Sequence, residues 1–404
     1  MASLEEARQL IVDAVASLGA VEEPILDALG QVLAEQIVAP RDMPLCDNSA
    51  MDGYAVRSAD CRQPAELRIV GYLPAGSSER IAVEPGCAVK IMTGALLPDG
   101  CDAVARLEDA EETEGRVVTR RAVEAGEHVR FAGEDFRRGE VVLAAGTVLG
   151  AAETSILASC GRVSVCTFRR PRVAILSTGD ELVEPGEPVL PGKVVNSNGL
   201  ALAAAVKECG ALPLLLGIAR DARESHLEKM REGLQADVLI TSAGVSAGAR
   251  DLVRSVLAEL GMKQVFRRVD MSPASPTCFG LVGAKPVFCL PGNPVASLIA
   301  FALLVRPALL KIMGHSHVLD TFVTATLEES VKKKLGKVQI LRVTLTYREG
   351  RYWAIRAGDQ NTGILKTLLH ADGLAVLPMD RTMLSSGDEV SVQVLRRTAA
   401  GSST

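Results

Sequence analysis

The chain has 404 residues, 48% hydrophobic and 23% charged, with a mean hydropathy of +0.21 and a net charge of −5. That balance excludes a disordered chain, and the length exceeds what one compact core serves, so two to four domains are expected. The acidic balance and the lack of a basic stripe exclude nucleic acid as the expected partner.

Residues 1–10 carry two glutamates and no apolar core of the kind a secretory signal needs. The longest uncharged apolar run, 295–305, is too short to cross a bilayer, so no membrane is expected. Nine scattered cysteines without a CxxC pair, and five dispersed histidines, fit reduced thiols in a cytoplasmic protein.

In chain order, Leu4, Ala7, Leu10, Ile11, Val15 and Leu18 recur at helical spacing, with Gly19 as a cap. A second amphipathic stretch over 23–37 predicts another helix before Pro40. From 43 to about 136, short β-branched runs at 67–72, 87–92, 103–106 and 116–120 alternate with Gly, Pro and acidic clusters, which predicts a β-rich domain. From 172 to 314, apolar runs at 173–176, 212–216, 238–241 and 287–290 alternate with helical stretches at 197–209, 223–234, 250–260 and 294–312. Strand–turn–helix repeated four times predicts a parallel sheet with helices on both faces. Residues 318–394 alternate apolar and polar again, as a small β domain does, and 396–404 read as a disordered tail.

Ligands in a parallel α/β sheet bind at the carboxyl ends of the strands. Those ends carry STGDEL (177–182), GIARD (217–221), TSAGVSAG (241–248) with Asp251 beyond it, and LPGNP (290–294). The expected crevice residues are Thr178, Gly179 and Asp180, then Ser242, Gly244 and Ser246, then Pro291, Gly292, Asn293 and Pro294. Serine hydroxyls and backbone N–H groups at a helix start suit an anion. Glu181, Asp221 and Asp251 are oxygen ligands suited to a hard divalent cation. One Asp at one strand end is more often a helix cap, so the weight lies in the co-location. In the β-rich region DNSAMDGYAV (47–56) is too irregular for a strand, while IMTGA (91–95) and AGED (132–135) read by spacing alone as turns sooner than as sites.

Taken in order, DNSAMDGYAV, IMTGA, GED (133–135), STGDEL, GVS (244–246) and LPGNPV (290–295) strongly resemble the MoeA family, the molybdopterin molybdenumtransferases, whose architecture also forms the E domain of gephyrin. The resemblance implies a multidomain α/β fold. It comprises an N-terminal helical segment (1–44) packing with a return segment (137–168), and a β-rich inserted domain (45–136). A MogA-like three-layer α/β/α domain (169–314) and a small C-terminal β domain (315–404) complete it. It implies a homodimer whose cleft is shared between subunits, and a MogA-type adenylyltransferase as partner. The implied reaction inserts molybdate into adenylylated molybdopterin with release of AMP, assisted by Mg2+ held on Glu181, Asp221 and Asp251. The family's functional positions match Asp52, Thr93, Asp135, Glu181, Asp221 and Asp251, and less closely Arg342 and Thr362.

The chain departs from the family at Lys-Pro-Gly-Lys-Pro, where Ser272-Pro273-Ala274-Ser275-Pro276 stands, and at Ser-Gly-Gly-Val-Ser, where Ala243 replaces a glycine. Ser272 and Ser275 keep hydrogen-bonding groups at the implied anion site but lose two cations, with Arg250, Arg267 and Arg268 nearby in sequence. Three readings stand side by side: an enzyme with an altered anion site for molybdate or tungstate, a paralogue that carries the molybdopterin nucleotide, and a scaffold.

Overall fold

The computed structural model describes residues 1–244, 252–319 and 322–395. The tail at 396–404, expected to be disordered, lies outside them, as do Ser246, Arg250 and Asp251. The chain divides into two compact units, one of Met1–Glu23, Gly30–Ala34 and Cys166–Thr404, the other of Pro24–Leu29 and Glu35–Val165.

Helix α1 (Leu4–Ala14) starts at a capping box: Ser3 Oγ accepts from the Glu6 N–H at 3.1 Å, and the Glu6 carboxylate accepts from the Ser3 N–H at 2.9 Å. It buries Leu4, Ala7 and Ile11 and ends before Leu18. The helix expected at 23–37 is absent. Ala20–Pro24 is a strand, and the backbone of residue 34 bonds across to Cys166. Ala28, Val32, Leu33 and Ile37 are buried all the same, so their helix-like spacing reflects tertiary pairing that overrides local periodicity.

The second unit is built on a six-stranded sheet of β1 (Gly53–Val56), β2 (Glu66–Leu73), β3 (Cys87–Ile91), β4 (Ala103–Arg106), β5 (Ala110–Thr113) and β6 (Arg116–Thr119), in the order β4-β1-β3-β2-β6-β5. Alternate residues feed two cores. Tyr54, Val56, Leu67 and Val117 fill one, and Ala55, Leu73, Val89 and Val104 the other. The second half of DNSAMDGYAV is therefore a central strand, contrary to the irregular loop expected. Gly53 is required there because a Cβ would overlap the Ala105 carbonyl oxygen on β4. Tyr54 is a core residue whose hydroxyl donates to Glu112 at 2.6 Å.

In the first unit, β7 (Arg172–Thr178), β8 (Leu212–Ala219), β9 (Val238–Ser242), β10 (Lys263–Phe266), β11 (Met271–Ser272), β12 (Cys278–Val282) and β13 (Lys285–Leu290) follow one another in sequence. Six of them form a sheet in the order β8-β7-β9-β13-β12-β10. The four predicted strands are the parallel ones, and β12 and β10 add an antiparallel edge. Helices α2 (Ser197–Glu208), α3 (Arg223–Gly233), α4 (Leu252–Glu259) and α5 (Pro294–Ile312) cover it. With 19 residues and a mean hydropathy of 2.0, α5 is long and apolar enough to cross a membrane, because it runs on through Arg306 beyond the 295–305 stretch. It is 78% buried inside the protein, as a core helix is.

Toward the C-terminus a further sheet contains β14 (Phe322–Leu327), β15 (Val338–Arg348), β16 (Arg351–Arg356), β17 (Gly373–Leu377) and β18 (Glu389–Val394). They run β15-β16-β14-β18-β17, and pairing of β15 with β17 closes the ring. Strand β11 joins β15 in parallel, with Ser272 opposite Gln339.

Candidate functional site

Three groups of residues stand out, two in the first unit and one in the second.

The first is the crevice at the carboxyl ends of β7, β8, β9 and β13. A cavity of about 270 Å³ opens there, with Ser177, Glu181, Asn198, Ser242, Ala243 and Gly292 in its walls. The expected loops are tied to one another. The Gly179 N–H donates to Ala219 O at 3.1 Å, Thr178 Oγ1 to Ser242 O at 3.4 Å, and the Ala243 N–H to Leu290 O at 3.1 Å. The Asp221 N–H donates to Asp180 Oδ1 at 3.1 Å, which joins the loops after β7 and β8. Gly179 sits at φ +139°, and a Cβ on it would overlap the Glu181 carboxylate, which folds back over the backbone there. Asn293 Oδ1, before α5, is buried and has no partner among the described residues.

Several contributors lie outside the expected set. Lys193 Nζ donates to Asp180 O at 2.6 Å, and Arg220 Nη1 to Leu182 O at 2.8 Å, so two cations brace the loop that carries Glu181. Asn196 caps α2, and its Oδ1 accepts from Ser177 Oγ at 2.7 Å. Asn198 donates to Ser242 Oγ at 2.9 Å and to Gly292 O at 2.8 Å. For the two asparagines the string NSNG (196–199) is the only signal, and a helix start explains it equally well.

The second group surrounds Arg342 on β15. This guanidinium is fully buried. Its Nη2 donates to Asp359 O at 2.8 Å and Asn361 O at 3.3 Å, while Nε and Nη1 have no partner among the described residues. The loop 357–363 closes over it through Gln360, whose amide bonds both the N–H and the C=O of Arg342. Thr362 lies half-buried in that loop. Ser272, half-buried, pairs with Gln339, three residues before Arg342 on β15. Ser275 is buried, and its hydroxyl donates to Val269 O at 2.9 Å.

The third group lies in the second unit. Asp52 Oδ1 accepts from both the N–H and the Oγ1 of Thr93, each at 2.7 Å. These two bonds, the backbone one first, hold the Asp52 carboxyl below the usual carboxylate range although it is exposed. The 47–52 segment is laced to the other two motifs of this unit. The Gly94 N–H donates to Ser49 O at 2.8 Å, the Ala50 N–H to His128 O at 2.9 Å, and the Ala132 N–H to Asp47 Oδ1 at 2.7 Å. Asp135 is exposed on the last of them, its N–H donating to Met43 O at 3.0 Å.

Magnesium takes six oxygens, commonly one or two carboxylates with the rest from water and phosphate. Among the described residues no cluster of three His, Cys, Asp or Glu side chains is present. Glu181 and Asp221, both exposed at neighbouring strand ends, fit the two-carboxylate pattern, the first with its carboxylate lying over a glycine that leaves room for it.

An α/β sheet with a polar crevice at its strand ends, in a chain that also carries a closed β domain and a β-rich unit, defines a class of multidomain proteins with a ligand crevice in the α/β domain. Comparison with known proteins narrows it. Residues 2–161 match the model of the MoeA N-terminal region (domain I and II), 174–311 that of a probable molybdopterin binding domain, and 324–395 that of the MoeA C-terminal region (domain IV). The molybdopterin molybdenumtransferase of Nostoc sp. is 37% identical, covering 97% of this chain and 93% of the relative. Molybdopterin molybdenumtransferase 2 of Mycobacterium tuberculosis is 33% identical, covering 97% and 99%. The crystal structure of the molybdopterin biosynthesis MoeA protein from Pyrococcus horikoshii superposes with a TM-score of 0.84 at 32% identity, over 98% of this chain and 99% of that one. The chain belongs to the MoeA family of molybdopterin molybdenumtransferases, transferases of molybdenum cofactor biosynthesis.

Proposed function

We propose that the chain inserts molybdate into adenylylated molybdopterin: water adds across the phosphoanhydride to release AMP and leave the molybdopterin phosphate, and the two dithiolene sulfurs bind molybdenum while one molybdate oxygen departs as water with the two thiol protons. The observation that carries this reading is the buried Arg342, with two nitrogens unpartnered among the described residues. A buried charged group with unused donors is costly unless an anion meets it. Arg342, with Ser272 and the loop bearing Thr362, is the proposed oxyanion site.

The substrate's phosphoryl groups are proposed to lie in the strand-end crevice, against Thr178, Gly179, Asp180, Ser242, Gly244 and the 291–294 loop. Glu181 and Asp221 are the described residues that would hold magnesium, with Asp251 as the third. Bound there, magnesium supplies charge neutralisation at phosphoryl oxygens. Asp52 stays ionised and is oriented by Thr93, so its free oxygen is a fixed acceptor for a water or ligand hydroxyl. Asp135 supplies a second carboxylate of that unit.

The test is turnover of purified protein with adenylylated molybdopterin, magnesium and a molybdate titration, following AMP and cofactor together. Saturable, chelator-sensitive AMP release is expected. Nucleotide binding without AMP release refutes insertion. It supports the second reading, a paralogue that carries the nucleotide, which is favoured by the absence of any cation from the 272–276 loop. Tungstate in the same titration shows whether the site separates the two oxyanions.

A further inference from the structure

The amide of Asn198 is oriented without ambiguity. Its Nδ2 lies 2.8 Å from the Gly292 carbonyl oxygen, which only accepts, so the atom facing it must be the nitrogen. The same nitrogen lies 2.9 Å from Ser242 Oγ. Both amide protons are thereby spent, and Ser242 Oγ receives one of them. A serine hydroxyl has one proton of its own to give. No described residue accepts it: Thr178 meets the Ser242 carbonyl instead, as a donor. Ser242 is only 2% exposed, stands at the end of β9, and lines the 270 Å³ cavity. The proton is therefore directed away from Asn198 toward the cavity.

We propose that Asn198 is a positioning residue that sets the polarity of Ser242, making its hydroxyl a fixed donor to a phosphoryl oxygen of the bound substrate. The inference rests on the function proposed above and adds to it a relay, Gly292 O to Asn198 Nδ2 to Ser242 Oγ to ligand. Asn198 starts α2 and Gly292 precedes α5, so two loops hold the serine in one rotational state. A donor fixed before the ligand arrives loses no rotational freedom on binding.

The experiment is a double-mutant cycle of Asn198→Ala and Ser242→Ala, reading the Kd of adenylylated molybdopterin and the split between KM and kcat. Loss of one hydrogen bond to a charged group predicts about 10-fold weaker binding for Ser242→Ala. Asn198→Ala is expected to lose somewhat less, mostly in KM, and the double variant no more than Ser242→Ala alone. Asn198→Asp would accept the serine proton and turn it from the ligand, so it is expected to bind more weakly than Asn198→Ala. Independent, multiplying losses overturn the relay, because a purely structural Asn198 would act whether or not Ser242 is present. Variants binding as tightly as wild type overturn it while leaving the proposed function standing. A wild-type protein that does not bind the nucleotide at all overturns both.

Discussion

Ala243 and Ala274 stand at φ +76° and +73°, in the left-handed region that favours glycine, and both replace glycines of the family strings they resemble. Holding a Cβ there costs about 1–2 kcal/mol, while returning to glycine costs about 0.5–1 kcal/mol in unfolded-chain entropy. For Ala243, a half-buried residue, the first effect wins. Ala243→Gly should stabilise by about 0.5 kcal/mol, seen as a small rise in Tm. Ala274 is 3% exposed, and losing its buried methyl costs a further ~0.8 kcal/mol, so Ala274→Gly should leave Tm unchanged or slightly lower. The other residue-scale prediction concerns Asp52. Its carboxyl is depressed in the folded state, so its contribution to stability is present above the ordinary carboxylate range and lost as pH falls through the lowered value. Thr93→Val keeps the backbone bond and removes the hydroxyl one. The Asp52 titration, followed by NMR, should move up toward the ordinary range, and the acid limb of the activity profile should follow it.

At the scale of elements, the 272–276 loop decides how the anion site could be repaired. Ser272 is half-buried where β11 joins β15, whereas Ser275 is 8% exposed with its hydroxyl on Val269 O. Ser272→Lys should fold normally and tighten molybdate binding, read as a lower half-saturating molybdate concentration. Ser275→Lys must either bury an ammonium or open the loop, and should cost about 2–3 kcal/mol of stability, read as a lower denaturation midpoint. The two serines look alike as letters, and their burial separates them. Helix α5 teaches the same lesson from the apolar side. Its composition suits a bilayer, yet Leu303, Leu304 and Leu309 are fully enclosed by protein.

At the scale of the whole molecule, the proposed reaction draws on residues of both units, Asp52 and Thr93 in one and Glu181 and Arg342 in the other. If a homodimer completes each site with residues of both copies, Asp52→Ala and Glu181→Ala proteins, each inactive alone, should regain activity when unfolded together and refolded as mixed dimers, because one site then holds no substitution. Activity that never returns on mixing places the whole site within one chain. Sedimentation at assay concentration, which should give a dimer, checks that the proteins assemble at all.

Much of this was legible in the letters. Four apolar runs followed by Gly- or Pro-bearing turns foretold the parallel strands and the polar residues at their ends, because burial on both faces of a sheet demands uninterrupted apolar runs. The motif strings carried the family and with it the carboxylates. Other features were hidden because they depend on neighbours distant in the chain. The stretch at 23–37 has helical spacing but pairs with residues 163–168, and the 53–56 half of an apparent loop is a central strand. In the sequence Asn198 is one more polar residue at a helix start, and only Gly292, 94 positions away, fixes which way its amide turns. Local pattern records the burial and propensity of each segment. Hydrogen-bond direction, and the difference between Ser272 and Ser275, arise only once the fold has brought remote backbone against them.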